Sequence, residues 1–369
     1  MANVYDYLAW RGDIPFTHSP FNEIDGMVLA RLAYLPLDGL ALQGGSSPVP
    51  IPAICDALLG QHEKGSVRLT KNAFDLLTAL RGCERYAAVL AFDYVNVFDK
   101  ESETQFAAVS FRIDEKSFCC SYRGTDSTLV GWKENLNMSF TTPVPAQEQA
   151  VRYLAGAAEI ISQLEPDYRL TVAGHSKGGN LAVYAASYCD KAIQDRIGLV
   201  YNYDGPGFTD TVVLSPGYQR ICAHVNTLVP QSSVVGMLLE HEEKYTVVRS
   251  TNKNVMQHDP TSWELTRDGF IRLESVTSSS RFIDYTLKAW MNSMNRQRRE
   301  KFIDAVYQLL LTTDAATIRE LNENKYSSFK KLWSSVRTMD EQTRKDMTFA
   351  LKLLVKSAKL GMIRMLQDK

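Results

Sequence analysis

The chain has 369 residues, 45% of them hydrophobic and 22% charged, a composition that excludes disordered, collagen-like and small disulfide-held proteins. The formal net charge of −1 hides an asymmetry: from Arg281 onward there are 18 Lys and Arg against 10 Asp and Glu, whereas residues 1–280 hold 23 against 32 and contain all 13 prolines and 20 of the 21 glycines. An acidic, turn-rich body thus adjoins a basic, turn-poor C-terminal region, and the shift near residue 280 is read as a domain boundary.

Residues 1–85 read as an N-terminal helical extension. Ile24, Met27, Val28, Leu29, Leu32 and Leu35 recur at helical period within residues 22–35, and residues 72–80 suggest another helix. The period then changes. Residues 86–98, 106–113 and 117–122 are β-rich runs, the last two joined by a polar hairpin link, Asp114-Glu115-Lys116. Residues 147–164 form an amphipathic helix with Val151, Leu154, Ala158, Ile161 and Leu164 on one face. A short strand at 168–173, a small-residue helix at 178–188 and strands at 197–203, 221–229 and 244–249 follow. Strand, helix, strand at this spacing predicts an α/β fold with a mostly parallel sheet and helices on its faces. This core spans residues 86–280. Beyond it, the basic region 281–369 predicts long amphipathic helices at 285–295, 297–311, 316–322 and about 341–366.

Within the core, Gly174-His175-Ser176-Lys177-Gly178 is a G-x-S-x-G motif. It stands where its chemistry requires, between a strand and a small-residue helix. Ser176 is the candidate nucleophile on a tight turn. Gly174 and Gly178 give clearance, and the helix N-terminus offers N–H groups to a developing oxyanion, with the Lys177 N–H as expected donor. His175 is expected to point away from Ser176.

Upstream, Tyr122-Arg123-Gly124-Thr125 ends a strand, with Trp132 soon after. These two motifs together resemble the class 3 (fungal-type) lipases of the α/β-hydrolase fold, over roughly residues 105–265. The N-terminus and the Asp204-Gly205-Pro206-Gly207-Phe208 segment also resemble a bacterial lipase-like group. The resemblance implies a serine hydrolase cleaving a carboxylic ester, acyl or lipid-like, with Thr125 as second oxyanion donor.

A serine needs a base, and the base needs a carboxylate. In α/β-hydrolases the chain order is Ser, acid, His. Three histidines follow Ser176. His224 lies in an apolar, strand-like run and reads as a core or sheet-face residue; His241 lies among Glu240, Glu242 and Glu243 and reads as a solvated loop. His258, in a polar loop late in the core, is the expected base. The acid departs from the lipase pattern, because the segment 225–230 carries Thr227 or a neighbour where that family has Asp. Asp204, at the end of strand 197–203, is chosen instead, with Asp259 and Glu240 to Glu243 as alternatives. A non-catalytic interaction module, or a thioesterase or amidase, remains the rival reading; a carboxylate on the His258 ring nitrogen distal to Ser176 would favour catalysis. The stretch 232–239 reads as core packing, with an acyl-pocket wall or small lid as the other reading.

No metal or cofactor motif is present in the sequence. Nucleic acid is not an expected partner, since the basic residues are spread over several helices without interleaved aromatics. The C-terminal helices are expected to dock on the acidic body or on a second copy as a homodimer; weak membrane-surface contact is the other option weighed. The six cysteines read as buried free thiols in a reducing, cytoplasmic setting, and neither a signal peptide nor a membrane span is expected.

Overall fold

The computed structural model describes residues 1–42, 47–125, 129–138, 141–312 and 340–367. The expected helix at 316–322 lies outside them, as do Asp126 and Ser127, which follow the Tyr122-Arg123-Gly124-Thr125 motif. Nine strands form one sheet in chain order: β1 (Val49–Pro50), β2 (Leu90–Asp99), β3 (Thr104–Arg112), β4 (Ser117–Tyr122), β5 (Arg169–His175), β6 (Ile197–Tyr203), β7 (Val225–Pro230), β8 (Tyr245–Val248) and β9 (Arg272–Leu273). Strands β4 to β8 pair in parallel, and antiparallel pairs flank them on both sides. The chain is therefore an α/β protein with a mostly parallel sheet and helices on both faces.

One face is covered by the N-terminal helices: α1 (Val4–Arg11), α2 (Glu23–Leu32), α3 (Ile51–Glu63), α4 (Lys71–Arg81) and the one-turn α5 (Glu84–Ala87). Ile24, Met27 and Val28 of α2 share a core with Ala173, Tyr201 and Tyr203 of the sheet. This explains the helical period at the start of the chain, because α2 lies across β4, β5 and β6. Buried Asp25 anchors the layer. It accepts from Arg85 (2.6 and 2.8 Å), from the hydroxyls of Tyr7 (2.9 Å) and Tyr86 (2.7 Å), and from the Asn22 N–H (3.0 Å). The strand expected from residue 86 accordingly begins only at Leu90, because Arg85 and Tyr86 turn in α5 to reach this carboxylate.

The other face is covered by α7 (Pro145–Leu164) and α8 (Lys177–Tyr188), preceded by α6 (Leu129–Asn137), which contains Trp132. Leu154, Ala157 and Ile161 of α7 pack with Leu181 and Ala185 of α8 and with Phe106, Phe118 and Val172 of the strands. After the short helices α9 (Lys191–Gln194), α10 (Asp210–Val213) and α11 (Pro216–Ile221), residues 222–224 form a 3-10 turn. The strand expected over 221–229 is thus shorter, and His224 is exposed on that turn rather than in the core or on a sheet face. Its Nδ1 lies 3.0 Å from the Gly198 carbonyl.

α12 (Ser278–Asn292) crosses the expected boundary after residue 280, and the region beyond it contributes α13 (Arg296–Leu311) and α14 (Glu341–Gln367). α14 packs on α12 and α13, and α13 packs on α6. Among the described residues, no helix is long and apolar enough to cross a membrane. All six cysteines are free thiols; five are buried and Cys222 is half-buried.

Candidate active site

Ser176 stands between β5 and α8 with φ 60° and ψ −132°, a backbone conformation that costs a non-glycine residue roughly 1–3 kcal/mol. The turn closes because its neighbours are glycines. A Cβ at Gly174 would lie 2.0 Å from the Gly178 carbonyl oxygen, and one at Gly178 would lie 2.2 Å from the Tyr122 carbonyl oxygen. The Ser176 N–H donates to the Tyr203 carbonyl (2.9 Å), tying the turn to the end of β6.

Ser176 opens onto a pocket of about 320 Å³ lined by Arg31, Tyr34, Thr125, His175, Val255, Met256, His258 and Asp259. His258 ends a 3-10 turn (Asn254–His258) in the loop after β8. Its Nδ1 is 2.7 Å from Oδ2 of Asp204, the residue after β6. Asp204 is fully buried and has φ 51°. Its Oδ1 accepts from the Ser233 hydroxyl and from the Gly236 N–H (3.2 Å). With Nδ1 engaged by the carboxylate, Nε2 is the ring nitrogen left for a partner in the pocket.

His175 and Tyr34 brace this arrangement. The His175 and His258 rings lie 4.6 Å apart at 36°, and His175 Nε2 is 2.7 Å from the His258 carbonyl oxygen. Burial, with His258 and Arg31 nearby, holds the His175 imidazole well below its ordinary pKa. The ring is therefore neutral: Nε2–H donates to the His258 carbonyl, and Nδ1 is the acceptor that faces the Tyr34 hydroxyl at 3.0 Å. Burial pushes the Tyr34 phenol up to about 12, so it stays protonated.

The Thr125 hydroxyl on the pocket wall is buried with no hydrogen-bond partner among the described residues. Lys177 begins α8 beside Ser176, and its side chain is fully buried. Its ammonium donates to the Gln105 carbonyl (2.5 Å), to Gln105 Oε1 (2.9 Å) and to Glu134 of α6 (2.8 Å).

The model of the Mbeg1-like family matches residues 81–308, more than half of the chain. The chain belongs to the Mbeg1-like family. Among curated proteins none matches it. Solved structures similar in fold include a fungal lipase (14% identity over 66% of this chain and 84% of that one, TM-score 0.39). Another is the lipase from Rhizopus microsporus var. chinensis (17% identity, 67% and 89% covered, TM-score 0.35). A deletion mutant of the Rhizomucor miehei lipase propeptide complex is also similar (15% identity, 55% of this chain, TM-score 0.36), and this chain spans 65% of its length. These are likenesses of fold at low identity, and no residue role is taken from them.

In this Mbeg1-like chain the structure brings Ser176, Lys177, Thr125, His258 and Asp204 into one neighbourhood. The alternatives lie elsewhere or are otherwise engaged. His241 is not solvated: its side chain is 7% exposed, and Nδ1 sits 3.0 Å from Oε1 of buried Glu243. Thr227 donates to the same Glu243 oxygen, and Tyr218 to the other. Neither His241 nor Glu243 lines the pocket. Asp259 does, but Asn72 (2.6 Å) and the N–H and hydroxyl of Thr261 occupy its oxygens. The stretch 232–239 is neither plain core nor a wall of this pocket, because it wraps Asp204 through Ser233 and Gly236. Sequence reasoning missed those two residues, along with Tyr34. The signal available was a Ser-Ser-x-x-Gly turn directly after a parallel strand.

Proposed function

We propose that the protein is a serine hydrolase that cleaves a carboxylic ester, acyl or lipid-like, through an acyl-enzyme. The observation that carries the reading is Ser176 on a strained strand-to-helix turn, sharing a pocket with a histidine whose Nδ1 rests on a buried carboxylate. Ser176 Oγ attacks the ester carbonyl. His258 Nε2 takes the serine proton and returns it to the leaving alcohol, while Asp204 fixes the ring's tautomer and stabilises the imidazolium. The Lys177 N–H and Thr125 stabilise the oxyanion; a buried hydroxyl on the pocket wall with no partner among the described residues suits that task. Water then attacks the acyl-enzyme with His258 again as base. The exposed Val255 and Met256 at the pocket suit an apolar acyl chain. A non-catalytic binding module has no use for a carboxylate on the distal nitrogen of His258. The free thiols accord with a reducing, cytoplasmic location.

The test is labelling of the full-length protein by a fluorophosphonate, with turnover measured on a panel of p-nitrophenyl esters, acyl-thioesters and peptides. Labelling at Ser176, its loss in Ser176→Ala, and preferential ester turnover are expected. The Ser176→Ala and His258→Ala variants should each lose on the order of 10⁴-fold or more in kcat. A folded protein that does not label would sink the reading.

A further inference from the structure

The turn that holds Asp204 is itself held from the start of α12. Ser280, in the first turn of α12, is 1% exposed. Its hydroxyl donates to the Ser233 carbonyl at 2.5 Å, and the Ser233 hydroxyl donates to Asp204 Oδ1. Two further bonds fasten α12 to the same turn: Thr277 N–H to the Gln231 carbonyl (2.7 Å), and Thr277 to the Ser232 hydroxyl (3.2 Å). From the turn's other side, the Ser232 N–H donates to Oε1 of Gln257 (2.8 Å), the neighbour of His258. The residues 231–236 therefore touch the carboxylate, the base loop and the first turn of α12 together.

We propose that Ser280 is a positioning residue for Asp204. It orients the Ser233 peptide so that the Ser233 hydroxyl meets Oδ1 and leaves Oδ2 turned to His258. The inference rests on the hydrolase reading. It makes the first turn of α12, the helix that leads into the C-terminal region, part of the site's alignment. A buried serine hydroxyl whose sole task was to dock α12 would have served equally against any carbonyl of the body. Here the carbonyl belongs to the residue that donates to the carboxylate, and Gly236 N–H donates to both the Ser233 hydroxyl (3.1 Å) and Asp204, so a shift at Ser233 disturbs two of the acid's partners.

The experiment uses the full-length protein as wild type, Ser280→Ala, Ser280→Thr and Ser233→Ala. The titration of the His258 ring is followed by NMR beside kcat and KM on p-nitrophenyl butyrate. The charged or titratable groups around His258 are Asp204, His175, Arg31, Tyr34 and Asp259, and the variants leave all five in place. Losing a donor makes the Asp204 carboxylate a stronger base that holds the imidazolium more firmly. The His258 pKa should therefore rise by about half a pH unit or more in Ser233→Ala, and in the same direction in Ser280→Ala. In Ser280→Ala kcat should fall about tenfold with little change in KM, and Ser280→Thr, which keeps the hydroxyl, should recover most of it. If Ser280→Ala melts at a lower temperature yet His258 titrates as in wild type, Ser280 only docks the helix and the proposal is overturned. Should Ser280→Ala fail to fold, Ser233→Ala decides through the same titration: an unmoved His258 there also overturns it. A shifted titration in a protein whose Ser176 takes no fluorophosphonate would instead overturn the hydrolase reading, so the two failures are distinguishable.

Discussion

His175 lies against both Ser176 in sequence and His258 in space, and its burial has a measurable price in acid. Its folded-state pKa lies well below 6.5, so below about pH 6.5 the unfolded chain takes up a proton that the folded chain refuses. Stability from this group therefore falls as pH drops through that value. Urea unfolding at pH 7.5 and 5.5 should show the decline, and His175→Gln should flatten it. Glu243 has the opposite character. Although burial alone would raise it, its hydrogen bonds from His241, Thr227 and Tyr218 hold its carboxyl down at about 2, against an ordinary 4.5. Its contribution is complete above about pH 4.5 and disappears as pH falls towards 2, so urea unfolding compared at about pH 5 and 3 should show a fall in wild type that is reduced in Glu243→Gln. Much of this was legible in residues and some was not. His258 stood out because few histidines follow Ser176 and only one lies in a polar loop late in the core. Asp204 was reachable because it ends a parallel strand. The partnership of Asp204 with Ser233 spans 29 positions, and no period or motif signals a contact of that kind.

At the level of elements, the tie between α6 and the turn carrying Ser176 is the most exposed to mutation. Lys177→Met would leave Glu134 buried with its cationic partner gone, a loss of about 3–5 kcal/mol in unfolding free energy. Adding Glu134→Leu should not restore it. Glu134 also accepts from the backbone N–H groups of Gln105 (3.2 Å) and Ala146 (2.9 Å), and leucine would orphan both. Chemical denaturation of the single and double variants checks this. Strand positions were readable wherever an apolar run was bounded by turns, as for β4 and β6. The start of β7 was not, because Tyr218 and Ile221 of α11 are as apolar as a strand; the overlooked signal was Ser215-Pro216, whose hydroxyl caps the helix (Tyr218 N–H, 3.3 Å). The role of α2 was hidden too, since helical period shows that a face is buried but not that it lies on the nucleophile's strand.

Across the whole molecule, the opposite net charges of body and C-terminal region suggest electrostatic docking. The contacts tell a narrower story. Lys288 of α12 meets Glu240 (3.4 Å), but at α13 the signs reverse, with Lys133 of the body on Asp304 (3.0 Å) and over the Tyr307 ring. What joins the regions is α12 itself, which runs across the boundary with its first turn bonded to the body through Ser280 and Thr277, and the packing of α13 on α6. Partly exposed pairs contribute about 0–1 kcal/mol each and are screened by salt. The thermal midpoint should therefore move by no more than about 3 °C between 50 and 500 mM NaCl, as scanning calorimetry would show. A larger fall would mean that charge holds the regions together after all.

The sheet ends on each side in a strand of two residues, β1 and β9, and β1 contains Pro50, which has no N–H to donate. An incoming strand would find few donors at β1 itself, but β2 outruns it: among the described residues no strand pairs with the outer side of β2 beyond Ala91. The open margin of the sheet is therefore the far end of β2, where Asn96, Phe98 and Asp99 are exposed.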